Sequence, residues 1–126
     1  MWQQNQDDPV LYEDVVTFLL SSFPEIEAAY AKELEWWGSD EPGSTIVYED
    51  LFVPLIKRLI SIDKEAEVRR VSTFLERLAT AGDDRVRDIL LVAVLEPLSG
   101  EPETLVRLRP RMGPVTRRML KKVQSG

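Results

Sequence analysis

The stretch DDRVRDILLVAVLEP, residues 83–97, decides the fold of this chain. It contains seven consecutive apolar residues, from Ile89 to Leu95, and such a run fits a buried strand as well as a buried helix. The flanking residues favour a helix, because Gly82 can end a preceding helix and Asp83 can cap the next one. Apolar side chains cover nearly all sides of this helix, so we expect it at the centre of the fold.

The residues before this stretch predict three amphipathic helices. Their starting signals are Asp8-Pro9, the capping box Ser22-Phe23-Pro24-Glu25, and Asp50. The second helix is expected to bury a stripe made of Ile26, Tyr30, Leu34 and Trp37. Residues 45–48 are expected to be extended, with at most a trace of strand. Proline lacks the amide hydrogen that a helix interior needs, so Pro54 is expected in the first turn of the third helix.

The remaining residues predict a helical hairpin and a basic last helix. Asp63 is expected to cap a helix that ends before Gly82, and residues 64–81 and 83–96 then form an antiparallel pair that resembles a HEAT repeat. No second copy follows at a period of about 40 residues, which favours a bundle over a solenoid. A basic helix is predicted at about 114–124. We therefore expect an all-α fold: residues 1–126 form a single-domain helical bundle of about six helices with a HEAT-like antiparallel hairpin.

The composition excludes several classes of function. The chain has no cysteine and no histidine, which removes disulfides, thiol nucleophiles, zinc sites built from those residues and the usual general base. No apolar run approaches the roughly 18 residues of a membrane span. The first residues, MWQQNQDD, are polar and acidic, unlike a secretion signal. We expect a cytoplasmic protein that binds no membrane.

Charge is distributed unevenly along the chain. Residues 1–50 hold twelve acids and one base, Lys32, whereas every charged residue after Glu103 is basic. In one interpretation the basic tail folds back onto the acidic half. In the other, the acidic half faces a basic partner, because a surface of one sign steers association. We expect no nucleic-acid binding, because the chain is acidic overall and its tail lacks interleaved aromatic residues.

Paired carboxylates are the residues closest to a catalytic or metal-binding pattern. The pairs are Asp7/Asp8, Asp40/Glu41, Glu49/Asp50 and Asp83/Asp84. None lies in a calcium-binding loop pattern, and the chain has no glycine-rich phosphate loop and no serine nucleophile elbow. Helix capping and solvent-facing charge account for these pairs. We therefore expect no catalytic residues, no metal and no cofactor.

The pair Trp36-Trp37 suggests a binding surface. Trp37 continues the inner stripe of the second helix, whereas Trp36 points about 100° away from it, since successive helical residues are separated by that angle. A tryptophan surrounded by acids is a plausible anchor for a partner, although the adjacent loop can instead fold over it. The candidate partner-binding residues are Glu33, Trp36, Asp40, Glu41, Tyr48, Glu49 and Asp50.

Several short patterns carry a resemblance to a known group of proteins. They are Phe18-x4-Phe23-Pro24-Glu25, Tyr30, Tyr48-Glu49-Asp50-Leu51, Phe74-Leu75-Glu76 and Val92-Ala93-Val94-Leu95-Glu96. With these patterns, residues 10–98 resemble small, mostly helical bacterial proteins similar to the immunity proteins of polymorphic, Rhs-type toxin systems. Residues 100–126 lie outside this resemblance, which carries over no catalytic residue.

The resemblance implies an immunity protein that binds a cognate toxin domain and blocks its active site or substrate groove. We expect that toxin domain to have a basic surface and the chain to be a monomer in the complex. The alternative is a HEAT-like adaptor or regulatory protein-interaction module without catalytic activity.

Overall fold

The computed structural model describes residues 10–125, which form seven helices and no strand. The helices are α1 (Val15–Ser22), α2 (Glu27–Trp37), α3 (residues 44–62), α4 (Glu65–Ala79), α5 (residues 84–99), α6 (Pro102–Leu108) and α7 (Pro114–Ser125). Short 3-10 turns precede α1 and α2 at Tyr12–Asp14 and Pro24–Ile26, and a third follows α6 at Arg109–Arg111. The all-α prediction is confirmed. The predicted helix start at Asp8-Pro9 lies outside the described residues.

Two of the helices contain a π segment just before a proline. Helix α3 is composed of Ser44–Val47, the π segment Tyr48–Phe52, and Val53–Ile62. Helix α5 is composed of Asp84–Ile89, the π segment Leu90–Leu95, and Glu96–Ser99. Proline offers no amide hydrogen and crowds the carbonyl four residues earlier, and the wider π turn accommodates that mismatch.

The course of α3 overturns two predictions. Residues 45–48 are helical rather than extended, and Pro54 lies inside a continuous helix rather than in its first turn. In the π segment the amide of Val53 donates to the carbonyl of Tyr48, five residues earlier. This bond keeps the helix continuous up to the proline, so the sequence rule that places proline at a helix start does not hold here.

The π segments of α3 and α5 pack against each other at the centre of the molecule. In α5, five side chains of the seven-residue apolar run are buried: Ile89, Leu90, Ala93, Val94 and Leu95. Val92 is 46% exposed and Leu91 is partly exposed. Helix α5 is therefore central, as predicted, but one narrow side of it reaches solvent.

A cluster of aromatic side chains joins α1, α3 and α4. Phe18 stacks on Phe74 with ring centroids 4.8 Å apart, and Phe23 meets the edge of Phe74 at 5.2 Å. Phe52 packs between Tyr48 and Phe74 at 5.7 Å and 5.1 Å. Aromatic pairs at these distances add stabilisation beyond the area they bury. The cluster belongs to one hydrophobic core that reaches from Val10 to Leu120.

The helix ends match the predictions in one case and differ in two. Asp83 caps α5, and its carboxylate also accepts the Tyr12 amide at 3.0 Å. Asp63 caps nothing and instead adopts a left-handed conformation at the end of α3, with φ of 62°. The capping box at Ser22 is wrong, because Ser22 is the last residue of α1 and the carboxylate of Glu25 pairs with Arg70.

Helix α7 is fixed to the core by a carboxylate from α4. Glu76 accepts hydrogen bonds from the amides of Val115 and Thr116, at 3.2 Å and 3.0 Å, and from the Thr116 hydroxyl at 2.7 Å. It thus satisfies amides that a helix start leaves without partners. Gly113 adjoins this carboxylate so closely that a Cβ atom there would collide with it.

The predicted basic helix at about 114–124 is α7, and it packs against α4 and α5. Within residues 10–125, the tail's ion pair joins Arg111 to Glu65 of α4, and no ion pair joins the tail to residues 10–50. The interpretation in which the basic tail folds back onto the acidic half is therefore wrong for the described part of that half.

Candidate functional site

Helix α2 is less covered by the rest of the molecule than the other long helices. It contains no buried residue, and its extensive contacts are with the turn that precedes it. That turn is firmly anchored, because Phe23 is fully buried and Ile26 is 3% exposed. The helix is thus held most firmly at its start, Tyr30 packs against the core, and the side opposite this residue faces solvent.

Arg70 of α4 reinforces this anchor. Its guanidinium donates to both carboxylate oxygens of Glu25, at 2.7 Å and 2.8 Å, and to the carbonyl of Ser22 at 3.1 Å. It also lies over the ring of Phe23, 4.5 Å from the centroid. Hydrogen bonding to Arg70 lowers the pKa of Glu25 below its ordinary value of 4.5. A bidentate pair has a defined geometry, so these contacts set the direction in which α2 leaves the core.

The last turn of α2 presents the two tryptophans differently. Trp37 is half-buried, and its indole N–H donates to a carboxylate oxygen of Glu33 at 3.0 Å. Trp36 is 79% exposed and meets Trp37 in an edge contact, with centroids 5.6 Å apart and planes at 73°. The prediction that Trp37 is a core residue is wrong, and so is the interpretation in which a loop covers Trp36. The outward orientation of Trp36 is confirmed.

The predicted acidic residues lie on two separate elements, the end of α2 and the π segment of α3. Glu33 is on α2, and Asp40 and Glu41 follow the helix, with the Asp40 amide donating to the Trp37 carbonyl at 3.2 Å. Gly38 allows this reversal because it has a positive φ of 66°, which side chains with a Cβ atom disfavour. Glu49 and Asp50 are exposed on the π segment of α3.

Tyr48 cannot belong to a binding surface, and its assignment as a partner-binding residue is wrong. The side chain is fully buried, and its hydroxyl donates to the carbonyl of Val15 at 2.7 Å. Burial raises the pKa of this phenol well above its usual value, so the group stays neutral. Its neighbours Glu49 and Asp50 are exposed, because successive side chains of a helix point in different directions.

Three further observations concern the chemistry of the described residues. An open cleft of about 310 Å³ between α4 and the tail is lined by Ser72, Glu76, Arg77, Arg111 and Gly113, but Glu76 is already engaged with α7. Among residues 10–125, no group of three or more acidic side chains is arranged to hold a metal ion. No helix in this part of the chain is long and apolar enough to cross a membrane.

The contribution of Arg70 was not visible in the sequence. The residue reads as part of the solvent-facing side of a helix, and its partner Glu25 lies 45 positions earlier. Helical periodicity relates residues three or four positions apart, so it carries no signal for such a pair.

The chain belongs to the DUF7674 family, a domain of unknown function whose model matches residues 16–125. The match includes α7, so the basic tail is part of the family domain. No curated protein and no solved structure matches the chain significantly.

Proposed function

We propose that this chain is an immunity protein that binds a cognate toxin domain through the end of α2 and thereby blocks the toxin's active site or substrate groove. The observation that carries the proposal is Trp36, which is 79% exposed on a helix with no buried residue. Large aromatic side chains are enriched among the residues that contribute most to binding energy. An exposed tryptophan on a rigid helix therefore suits a protein interface.

The charge around Trp36 indicates the kind of surface that it meets. Glu33, Asp40 and Glu41 lie on or directly after the same helix, and the last two are exposed. Negative potential accelerates encounter with a positive surface and disfavours partners of like charge. Toxins that act on nucleic acids or nucleotides carry basic clefts, and an acidic surface can occupy such a cleft. The partner is therefore expected to be a basic toxin domain.

The alternative, an adaptor with a HEAT-like hairpin, would use the same protein-binding chemistry with another partner. Helices α4 and α5 are joined by a short connection and pack against each other, as such a hairpin requires. The genes beside the one that encodes this chain distinguish the two proposals. A neighbouring gene for a large protein with a toxic C-terminal domain favours the immunity protein, and a neighbouring sensor kinase favours the adaptor.

The decisive experiment measures association and dissociation rates with the candidate toxin domain. We expect Trp36→Ala to speed dissociation, at a cost of about 2 kcal/mol in binding if Trp36 is a hot spot. Reversing the charge of Asp40 and Glu41 should instead slow association and weaken its dependence on salt. Both variants should melt as the wild type does, since they change exposed side chains.

Two controls make the result specific. Val106→Ala removes another strongly exposed apolar side chain, on α6, and should leave both rates unchanged. Arg118→Glu with Lys122→Glu reverses two exposed charges on α7 without removing the helix. If the α7 variant alone loses binding while the α2 variants bind normally, the binding surface has been placed on the wrong side of the molecule.

A further inference from the structure

We infer that the partner places an arginine side chain on Trp36, with its guanidinium over the indole ring and paired with the neighbouring carboxylates. This inference rests on the proposed function and specifies the chemistry of the contact. Its basis is a repeated arrangement of an aromatic ring, a carboxylate and an arginine within the molecule.

The first example of the arrangement holds the start of α2. The guanidinium of Arg70 lies 4.5 Å from the centroid of the Phe23 ring and bonds both carboxylate oxygens of Glu25. The arginine thus contacts the ring and the carboxylate at the same time. This combination suits arginine because its planar guanidinium can stack and hydrogen-bond at the same time.

The second example lies at the start of α5. The guanidinium of Arg85 is 4.6 Å from the centroid of the Tyr12 ring and donates twice to the carboxylate of Asp83, at 3.2 Å each. Here the aromatic residue precedes α1 and the carboxylate caps α5, so the arrangement does not depend on one local sequence pattern. In this example a hydrogen bond from the Tyr12 amide to Asp83 holds the ring near the carboxylate, whereas in the first example Phe23 and Glu25 are two positions apart in the sequence.

The end of α2 has the ring and the carboxylates without the arginine. Trp36 is 79% exposed, Glu33 lies one turn before it, and Asp40 and Glu41 follow the helix. In residues 10–125 no cation lies over the Trp36 ring. Lys32, one turn earlier, is exposed and makes no such contact. We expect the guanidinium that completes this arrangement to come from another molecule.

The two rings are also fixed before a partner arrives. Glu33 holds the Trp37 indole through a 3.0 Å hydrogen bond, and Trp37 supports Trp36 through an edge contact at 5.6 Å. Restricting the tryptophan in advance lowers the entropy that binding would otherwise cost. Arginine fits this surface better than lysine, because its planar and weakly hydrated guanidinium can lie on a ring while it bonds a carboxylate, whereas the ammonium of lysine is a compact and strongly hydrated point charge.

The experiment uses the full chain and three capped pentapeptides, in which a central arginine, lysine or norleucine lies between glycines. The indole N–H resonance of Trp36, assigned by its loss in Trp36→Ala, reports binding in nitrogen–proton correlation spectra. We expect the arginine peptide to shift it with a higher affinity than the lysine peptide, and we expect the ring to contribute roughly two- to fivefold to the affinity of the arginine peptide, the range for an exposed cation–π contact. The norleucine peptide should produce no shift.

Variants separate stacking from charge attraction. Trp36→Ala, followed through the backbone amides of residues 33–41, should remove the preference for arginine. Asp40→Asn with Glu41→Gln should weaken binding of both cationic peptides while the preference remains. Val106→Ala is the matched control, because it truncates another exposed apolar side chain away from α2 and should change nothing.

Several results would overturn the inference. Equal binding of the arginine and lysine peptides, unaffected by Trp36→Ala, would mean that the acids attract any cation and that the ring has no role. Absence of any shift with the arginine peptide would also overturn it, as would preferential binding of norleucine. The proposed function fails separately, when the folded chain does not bind the toxin domain in the rate measurements.

Discussion

Helices α2 and α5 were both predicted from apolar residues at helical spacing, yet they occupy opposite environments. Helix α5 contributes Ile89, Leu90 and Leu95 to the core, whereas Glu27–Trp37 contributes no buried side chain. The side chains of the α2 stripe, Tyr30, Leu34 and Trp37, are only partly buried. Apolar spacing therefore specifies a helix and the side that will face the protein, but it does not specify how much protein will cover that side.

The comparison also separates two ways of holding a helix. Helix α5 is held along its length by burial on several sides, and its π segment packs on that of α3. Helix α2 is held at its start by Phe23, Ile26 and the Arg70–Glu25 pair. Substitutions in α5 should consequently change the free energy of unfolding, while substitutions at the end of α2 should change binding.

The largest effect is expected when a charge enters the covered side of α5. Leu90 is fully buried, and Leu90→Asp should lower the free energy of unfolding by about 4 kcal/mol or more, because the carboxylate would have no partner there. The matched control is Val92→Asp, two residues away and 46% exposed, which should cost less than about 1 kcal/mol. Urea unfolding measures both. Equal decreases in the free energy of unfolding would show that the two sides of α5 are covered to the same extent.

A smaller effect is expected from the buried hydroxyl that was first assigned to the binding surface. Tyr48→Phe removes the hydrogen bond to the Val15 carbonyl and should cost about 1–2 kcal/mol in stability. Toxin binding should stay unchanged, because the side chain is fully buried. Tyr30→Phe on α2 is the comparison, since its half-buried hydroxyl has no described protein partner. If a folded Tyr48→Phe protein lost toxin binding, the hydroxyl of Tyr48 would be shown to contribute to the interface.

The smallest effect on stability is expected at the anchor of α2. Glu25→Gln should cost at most about 1 kcal/mol at neutral pH, since the pair with Arg70 is partly exposed and screened by water. The folded pKa of Glu25 is lowered, so its contribution is present above the ordinary pKa of 4.5 and is lost as pH falls through the lowered value. Unfolding measured at pH 7 and at pH 3 should show the variant and the wild type converging at low pH.

Nitrogen–proton spectra of Glu25→Gln test the same contrast between α2 and α5. Loosening the anchor should change the Trp36 indole resonance while the resonances of α5 stay in place. A stability difference between Glu25→Gln and the wild type that persists unchanged at pH 3 would show that the carboxylate charge does not contribute.

Much of the local architecture followed from the sequence. The central helix, its cap at Asp83 and the basic last helix all depend on residues that are close together in the chain. The outward direction of Trp36 and the exposure of Asp40, Glu41, Glu49 and Asp50 agree with the sequence-based expectation, whereas the sequence left open whether the loop after α2 covers the tryptophan. Their role in binding stays a prediction.

The errors arose where distant residues decided the outcome. Residues 44–52 are helical, and their π segment packs on that of α5, which begins 42 residues later. Glu25 does not form the predicted capping box and instead accepts two hydrogen bonds from Arg70. Glu76 accepts the amide of Thr116, 40 residues later, at the start of α7.

The sequence by itself determined that this protein is helical, that its central helix begins after the cap at Asp83, and that its acids and bases are separated along the chain. These properties depend on backbone preferences and on side chains within one or two turns of each other. Only the tertiary structure decided that Tyr48 is buried, that Trp37 leaves the core and that α7 packs on α4 and α5. Each of these depends on how much neighbouring protein covers a surface, which is determined by packing between helices rather than by the pattern along any one of them.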